Sequence, residues 1–137
     1  MYLVDTSYLI DLAREKIRGK AGATKLLEHL PESVILYVST ITLAQLAVGE
    51  HLANSQRARK RNSEFRQWVA AICEIVPFRS NHAEHFGEIA ASLYQKGKKI
   101  PESDIQIAAT AVAEELVLVT RNHRHFARVP NLDLETY

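Results

Sequence analysis

The sequence is poor in cysteine and glycine, and these shortages exclude several classes of protein. A single cysteine among 137 residues can form neither an internal disulfide nor a cysteine-based metal cluster. We therefore interpret Cys73, which follows the apolar stretch WVAAI, as a buried thiol in a reducing compartment. No glycine-rich turn follows a predicted strand, which excludes the P-loop and dinucleotide-binding fingerprints.

Long apolar runs and linker-like segments are missing as well. No apolar run approaches the roughly 20 residues that span a bilayer, and the N-terminus lacks the basic start and apolar core of a signal peptide. The chain also has no repeats and no tract rich in Gly, Pro or Ser. We therefore expect a cytoplasmic protein without membrane contact, folded as one domain over residues 1–137 around one sizeable core.

An excess of charge of one sign is absent too, since the formal net charge is only +1. This excludes a protein whose whole surface binds nucleic acid, so any such binding has to be local. The basic stretch QRARKRNSEFR predicts either a surface that follows an RNA phosphate backbone or simply a solvated helix face, and the sequence leaves both open. The cations considered for RNA binding are Arg57, Arg59, Lys60 and Arg61.

What the sequence does contain is an alternation of strand-like and helical segments. Strands are predicted at residues 2–4, 34–39, 74–78, 116–120 and 132–137. Helices are predicted over residues 8–17, 21–30, 42–54, 56–73, 82–96 and 103–115. Strands that alternate with helices indicate an α/β fold in which helices flank a central, mostly parallel sheet of four to five strands.

Two polar residues come directly after predicted strands. Asp5 follows the first strand, and Asn122 lies just past the fourth. Ligand sites in open α/β sheets lie beyond the carboxyl ends of the strands, which makes Asp5 a candidate metal ligand or base. Each residue also has a local explanation. Asp5 would help to cap the next helix, where Thr6 or Ser7 is the expected N-cap, and Asn122 would form a turn.

Two further candidates lie on predicted helices. Asp104 begins a helix that is apolar almost all round, which indicates a buried helix, although an acid in the first turn also favours the helix dipole. Gln45 comes three residues after Thr42, the expected N-cap of its helix, and this spacing fits a capping box. Local patterns thus leave a metal site and ordinary helix ends as alternative interpretations.

Four stretches, in order along the chain, resemble the PIN-domain family, and in particular the VapC-type toxins of toxin–antitoxin pairs. They are VDTSYLIDL, STITLAQLAVG, IPESDIQIAATA and LVTRNHRHFARVPNLDLE. The resemblance implies a Rossmann-like PIN fold, a site of clustered acids that binds Mg²⁺ or Mn²⁺, and metal-dependent cleavage of RNA. It also implies a cognate antitoxin whose tail lies across the active site, and a homodimer.

The resemblance carries over to individual residues. It makes Asp5 and Asp104 the expected metal ligands, and it places Asn122 where the family has Asp or Asn. Asn122 is expected to orient ligands or waters. Arg121 is expected either to meet a substrate phosphate or to serve the fold. The hydroxyls expected to support a carboxylate or a phosphate belong to Thr6, Ser7 and Thr120.

Gln45 departs from the family pattern, which has Glu at that place. Glutamine supplies no charge and takes no proton, so activity is expected to be reduced or silenced unless the two aspartates suffice for Mg²⁺. Glu50 is not an expected substitute, because five residues along a helix place it on another face. Glu102, close to Asp104 in the sequence, is the reserve ligand.

Together these expectations describe a metal-assisted hydrolysis of RNA phosphodiester bonds. The metal would lower the pKa of a bound water and neutralise charge that builds on the phosphate. The alternative is a PIN fold that has lost catalysis with Gln45 and acts as a binding module for RNA or a protein partner. A phosphorylated receiver-like domain is disfavoured, because no acidic pair follows the first strand.

Overall fold

The computed structural model describes residues 1–19 and 22–137, and its centre is a five-stranded sheet. The paired strands are parallel and lie in the order β3-β2-β1-β4-β5. This confirms the predicted α/β fold with a mostly parallel sheet. The strands are β1 (Tyr2–Val4), β2 (Leu36–Ser39), β3 (Glu74–Val76), β4 (Val117–Val119) and β5 (Leu134–Glu135).

Seven helices flank the sheet in the described ranges. Six of them correspond to predicted helices, and the predicted start of the second at residue 21 lies outside the described residues. The seventh is not predicted, because four residues are too few for a periodic pattern. The helices are α1 (Thr6–Arg18), α2 (Gly22–His29), α3 (Thr40–His51), α4 (Gln56–Ile72), α5 (Ser80–Gln95), α6 (Glu102–Ala113) and α7 (His123–Phe126).

The first helix is capped by Asp5. Its carboxylate accepts a hydrogen bond from the Tyr8 N–H in the first turn of α1, and its backbone is extended. The expectation that Thr6 or Ser7 is the N-cap is therefore wrong, because the Asp5 carboxylate already satisfies that N–H group and both residues lie inside the helix. The local explanation of Asp5 as a capping residue is confirmed, and a second role is compatible with it.

The helix that carries Gln45 begins two residues earlier than predicted. Ser39, the last residue of β2, is the N-cap of α3, since its hydroxyl accepts a hydrogen bond from the Ile41 N–H at 3.1 Å. Thr42 is buried inside the helix, and its hydroxyl has no hydrogen-bond partner in the described part of the chain. The predicted capping box of Thr42 and Gln45 is therefore wrong, and Gln45 needs another explanation.

Apolar side chains cover both faces of the sheet. Successive strand residues point to opposite faces, so Leu3 packs in the core under α5 and α6, while Val4 packs in the core under α1 to α4. Cys73 lies in the second core, where burial raises the pKa of its thiol to about 11. The prediction of a buried thiol is confirmed, and this thiol stays protonated at neutral pH.

The helix that begins near Asp104 is buried, as predicted. It packs against α5 and β4, and Asp104 in its first turn lies near Asn122, just past the carboxyl end of β4. In residues 1–19 and 22–137, no helix combines the length and apolarity needed to cross a bilayer. The buried residues of α6 are Ile105, Ile107, Ala108, Ala109, Thr110 and Ala111.

Candidate active site

The site lies at the carboxyl edge of the sheet, where polar residues follow the ends of two neighbouring central strands and lie side by side. Because β1 and β4 are parallel neighbours, Val4 pairs with Val119, and the next residues, Asp5 and Thr120, come together. The Asp5 N–H donates to the Val119 carbonyl at 3.2 Å, which extends the ladder by one step. The parallel pairing thus fixes the first carboxylate of the site.

The Asp5 carboxylate is buried and surrounded by donors. Its Oδ1 accepts hydrogen bonds from the Ser7 hydroxyl at 2.7 Å and the Tyr8 N–H at 2.9 Å, and its Oδ2 accepts from the Thr120 hydroxyl at 2.5 Å. Burial raises the pKa of Asp5, and the hydrogen bonds from Thr120, Tyr8 and Ser7 oppose that rise. A carboxylate offers about four lone-pair sites, so Asp5 keeps acceptor capacity for a cation.

The second carboxylate, Asp104, is held from the turn after β4. Its Oδ2 lies 2.7 Å from His125 Nδ1 and 3.5 Å from Asn122 Nδ2. Asn122 Nδ2 is also 2.8 Å from His125 Nδ1. A ring nitrogen cannot donate and accept at once, so His125 Nδ1 either donates to Asp104 or accepts from Asn122, and both arrangements keep the three side chains together.

His125 is a site residue that the sequence analysis misses. It lies on α7, three residues after Asn122, and the stretch RNHRHF shows no pattern that separates a short helix from a turn. The available signal was its spacing from Asn122, which places both side chains on one face once α7 forms. Asn122 itself is the N-cap residue of α7 but makes no side-chain cap hydrogen bond, so its amide is left for the site.

Backbone and hydroxyl groups join the two carboxylates into one network. The Asn122 N–H donates to the Thr120 hydroxyl at 2.9 Å, and the Arg121 N–H donates to the Ser7 hydroxyl at 3.0 Å. The Ser7 and Thr120 hydroxyl oxygens are 3.3 Å apart. The structure therefore brings together five predicted site residues, namely Asp5, Ser7, Thr120, Asn122 and Asp104.

Gln45 lies beside this network rather than in it. Its Oε1 accepts a hydrogen bond from the Thr6 hydroxyl at 2.8 Å, and Thr6 directly follows Asp5. Glu50 points elsewhere, as predicted, since its carboxylate is 2.8 Å from Arg66 Nε, and Arg66 lowers the pKa of Glu50. Gln45 thus faces the crevice from the α3 side, where its amide can bind a ligand or a water.

The donor set fits a hard divalent cation. It consists of the Asp5 and Asp104 carboxylates with the Gln45 and Asn122 amides nearby, and oxygen donors of this kind suit Mg²⁺ or Mn²⁺. The described residues contain no group of three or more His, Cys, Asp and Glu side chains placed to hold a metal ion. Glu102 is exposed, and no hydrogen bond ties it to Asp104 in the described ranges.

Arg121 turns away from both carboxylates. Its Nη1 lies 3.0 Å and 2.7 Å from the two oxygens of Asp11, and the Tyr137 hydroxyl donates to the same carboxylate at 3.0 Å. Of the two expected roles, the one in the fold is favoured, because this ion pair ties the end of β4 to α1.

The basic stretch lies on the exposed side of α4. Arg59 donates to the His51 carbonyl at 3.3 Å, and Lys60 pairs with Glu64 at 3.9 Å. Arg61 instead lines a cavity together with Gln45. One end of the predicted RNA-binding stretch therefore reaches the vicinity of the site, whereas its binding role stays a prediction.

Comparison with known proteins supplies the family. The model of the PIN domain matches residues 2–132. The chain is similar to ribonuclease VapC2 of Rickettsia felis, with 34% identity over 81% of each chain. It is also similar to ribonuclease VapC2 of Haemophilus influenzae, with 40% identity over 73% of this chain and 74% of that one.

A solved structure extends the likeness to the whole fold. VapBC2 from Rickettsia felis, bound to a DNA fragment from its promoter, superimposes with a TM-score of 0.84 at 30% identity, over 99% of this chain and 98% of that chain. The parallel sheet of this chain, with its flanking helices and the two carboxylates at its carboxyl edge, is accordingly a PIN fold. The chain belongs to the PIN-domain family, which confirms the identification made from the four sequence stretches.

Proposed function

We propose that this protein is a metal-dependent endoribonuclease and the toxin of a toxin–antitoxin pair. The observation that carries the proposal is the network in which Thr120 and Asn122 join Asp5 to Asp104 at one sheet edge. The ribonuclease names of its VapC relatives support the same reaction class. Its substrate is RNA, and the bond that it hydrolyses is a phosphodiester.

In this function, Asp5 and Asp104 would hold a Mg²⁺ or Mn²⁺ ion. When bound, the ion supplies an acidified water and neutralises charge on the phosphate. Ser7 and Thr120 fix the orientation of the Asp5 carboxylate, and His125 fixes that of Asp104. Carboxylates that are already oriented lose less entropy on binding the ion, which favours a defined geometry.

The amides take the remaining positions. Asn122, whose amide lies next to both His125 and Asp104, orients a ligand or a water on the Asp104 side. Gln45 does the same on the Asp5 side, held by Thr6. Because Gln45 brings no charge, only two carboxylates would hold the ion, and a third would be expected to speed the reaction.

The partners follow from the solved relatives. The similar Rickettsia felis structure is a VapBC complex, so we propose a cognate antitoxin for this chain. The homodimer that the family resemblance implies is part of the same proposal. The cytoplasmic location belongs to the same proposal. The second candidate function, an inactive PIN fold that binds RNA or a protein, is favoured by one observation, the Gln45 side chain at the place of a carboxylate.

Cleavage of a pool of structured RNAs tests the proposal. The wild-type chain should cut RNA with Mg²⁺ or Mn²⁺ and not with EDTA, and Asp5→Asn and Asp104→Asn should each reduce cleavage to background while the chain stays folded. Cleavage by either variant at the wild-type rate would refute the assignment of that carboxylate. A wild-type chain that binds RNA but cuts none, even with excess Mn²⁺, would establish the inactive binding module.

A further inference from the structure

A cavity of about 640 Å³ opens next to Gln45, between α1, α3 and α4. We call it the Gln45 cavity, and its walls include Thr6, Gln45, Gly49, Arg61 and Phe65. Through Thr6, which follows Asp5, the cavity borders the active-site network. The cavity therefore shares one wall, Thr6, with the chain segment that carries Asp5 and Ser7.

The charge of the lining favours an anionic ligand. Arg14 and Arg61 line the cavity, and none of its described lining residues is acidic. Arg61 is exposed and forms no ion pair within residues 1–19 and 22–137, whereas Arg14 has only a loose contact with Asp11 at 3.9 Å. Guanidinium groups bind phosphate through paired N–H donors.

The other large cavity shows the opposite charge. It lies between α2, β2 and the end of α4, has a volume of about 760 Å³, and is lined by Glu28, Glu32 and Glu74 with no lysine or arginine among its described residues. A polyanion is repelled there. Of the two cavities, the Gln45 cavity is the one that suits RNA.

Its uncharged walls suit a nucleobase. Gln45 accepts from Thr6 through Oε1, which leaves its NH₂ group for a ligand, and Asn62 donates to the Gly49 carbonyl at 3.0 Å, which leaves its own carbonyl. Phe65 adds an aromatic ring. Amide groups read the edges of unpaired bases and aromatic side chains stack on them, and sequence-specific RNA binding mostly uses such unpaired bases.

Gly49 lines the cavity and is exposed. It lies inside α3 with an ordinary φ, because the described glycines with positive φ are Gly19 and Gly97. A Cβ added at Gly49 would meet no atom within 4 Å. Neither backbone conformation nor packing requires glycine here, and glycine weakens a helix relative to alanine. A larger side chain at this position would therefore extend into the open space without displacing another residue.

We propose that the Gln45 cavity holds an unpaired RNA base next to the phosphodiester that is cut, with Arg61 on a neighbouring phosphate. The proposal rests on the proposed ribonuclease function and adds the part of the substrate that the protein reads. Gln45 then has a second role besides that of an uncharged amide beside the metal site, since its amide contacts the base.

Binding without cleavage tests the cavity. Fluorescence anisotropy in EDTA compares a short, labelled, single-stranded RNA of mixed sequence with a strand of the same length that lacks bases. The wild-type chain should prefer the strand with bases, and Gly49→Leu, which fills the cavity, should weaken its binding about tenfold while leaving the abasic strand unaffected. Gly87→Leu is the matched control, because Gly87 also lies inside a helix with no atom within 4 Å of an added Cβ.

Arg61→Gln tests the phosphate contact separately. It should weaken binding of both strands and reduce the slope of log K against log salt by roughly 0.7, the value for one phosphate on a single strand. Lys25→Gln, which removes an exposed charge on α2, the helix that lines the other cavity, should change the slope less. If Gly49→Leu does not fold, Gly49→Gln replaces it, with Gly87→Gln as its control, because its long side chain also occupies the cavity and the space around the added Cβ is open.

The possible failures are distinct. Equal binding of the two strands by the wild-type chain, or unchanged binding by the Gly49 variant, would overturn the base-binding proposal while leaving the ribonuclease proposal intact. Loss of antitoxin binding with normal RNA binding would assign the cavity to the antitoxin and equally overturn it. A wild-type chain that binds neither strand, and cuts no RNA with Mg²⁺ or Mn²⁺, would remove both proposals.

Discussion

The two carboxylates of the site are held in different ways. Asp5 is 6% exposed, follows a central strand, caps α1 and accepts hydrogen bonds from two hydroxyls and a backbone N–H. The Asp104 side chain is 15% exposed, and its hydrogen-bond partners in the described residues are His125 and Asn122, from the short α7 region. Asp5 therefore belongs to the fold as much as to the site, whereas Asp104 belongs to the site alone.

The difference shows that the fold fixes one carboxylate of the site more firmly than the other. Burial raises the pKa of Asp5, so a charge there is unfavourable until donors and a cation compensate for lost hydration. The donors are fixed by the β1–β4 pairing, which makes Asp5 the fixed point of the site. Asp104, closer to solvent and held by a side chain on α7, can adjust to the ion and the phosphate.

The largest effects should come from removing each carboxylate. We predict that Asp5→Ala and Asp104→Ala both abolish cleavage. Only Asp5→Ala should also lower the free energy of unfolding, by about 2 kcal/mol, because it removes a helix cap and leaves buried donors unpaired. Asp104→Ala should stay within about 0.5 kcal/mol of wild type, since its partners can turn to water. Urea unfolding measures the stability of each variant, and a cleavage assay measures its activity. Equal destabilisation of the two variants would contradict the different structural roles of Asp5 and Asp104.

Adding a carboxylate should have the next largest effect. Gln45→Glu places a third negative charge on the Asp5 side, so we predict about tenfold tighter Mn²⁺ binding and faster cleavage of the same RNA. Calorimetric titration of both proteins measures the affinity. Gln67→Glu, on the exposed surface of α4, controls for added charge as such. Equal affinity and activity of wild type and Gln45→Glu would place residue 45 outside the metal site.

The supporting groups should differ in the same way as the carboxylates that they hold. Thr120→Val removes the hydroxyl on the buried Asp5 and should cost about 1–3 kcal/mol of stability, with a similar loss of cleavage. His125→Ala releases the more exposed Asp104 and should leave stability unchanged, while cleavage falls several-fold through poorer orientation. His125→Asn, which can still donate, should recover part of the activity. A destabilised His125→Ala chain would show that α7 is part of the fold rather than a site element.

The sequence predicts the Asp5 side better than the Asp104 side, for physical reasons. Alternation of strands and helices places Asp5 at a strand end, and the parallel pairing of β1 with β4 then brings Asp5 next to Thr120. Asp104 is predicted as a site residue, but its partner His125 is not, because a four-residue helix has no periodicity. The capping box fails because two hydroxyl residues near one helix start compete, and Ser39 rather than Thr42 is positioned to accept. The Thr6–Gln45 hydrogen bond spans 39 positions, which no local pattern reveals.

The smallest effect should come from Arg121, which contacts neither carboxylate through its side chain. Its guanidinium is 60% exposed and pairs with Asp11, so we predict that Arg121→Gln costs less than about 1 kcal/mol, as exposed ion pairs do. The Arg121 N–H, which donates to Ser7, is retained in this variant, so cleavage should change by no more than about twofold. Asp11→Asn offers the matched test from the other partner, since a role in the fold predicts the same small loss. A larger loss of RNA affinity in Arg121→Gln than in Asp11→Asn would instead show that the guanidinium leaves Asp11 to meet a substrate phosphate.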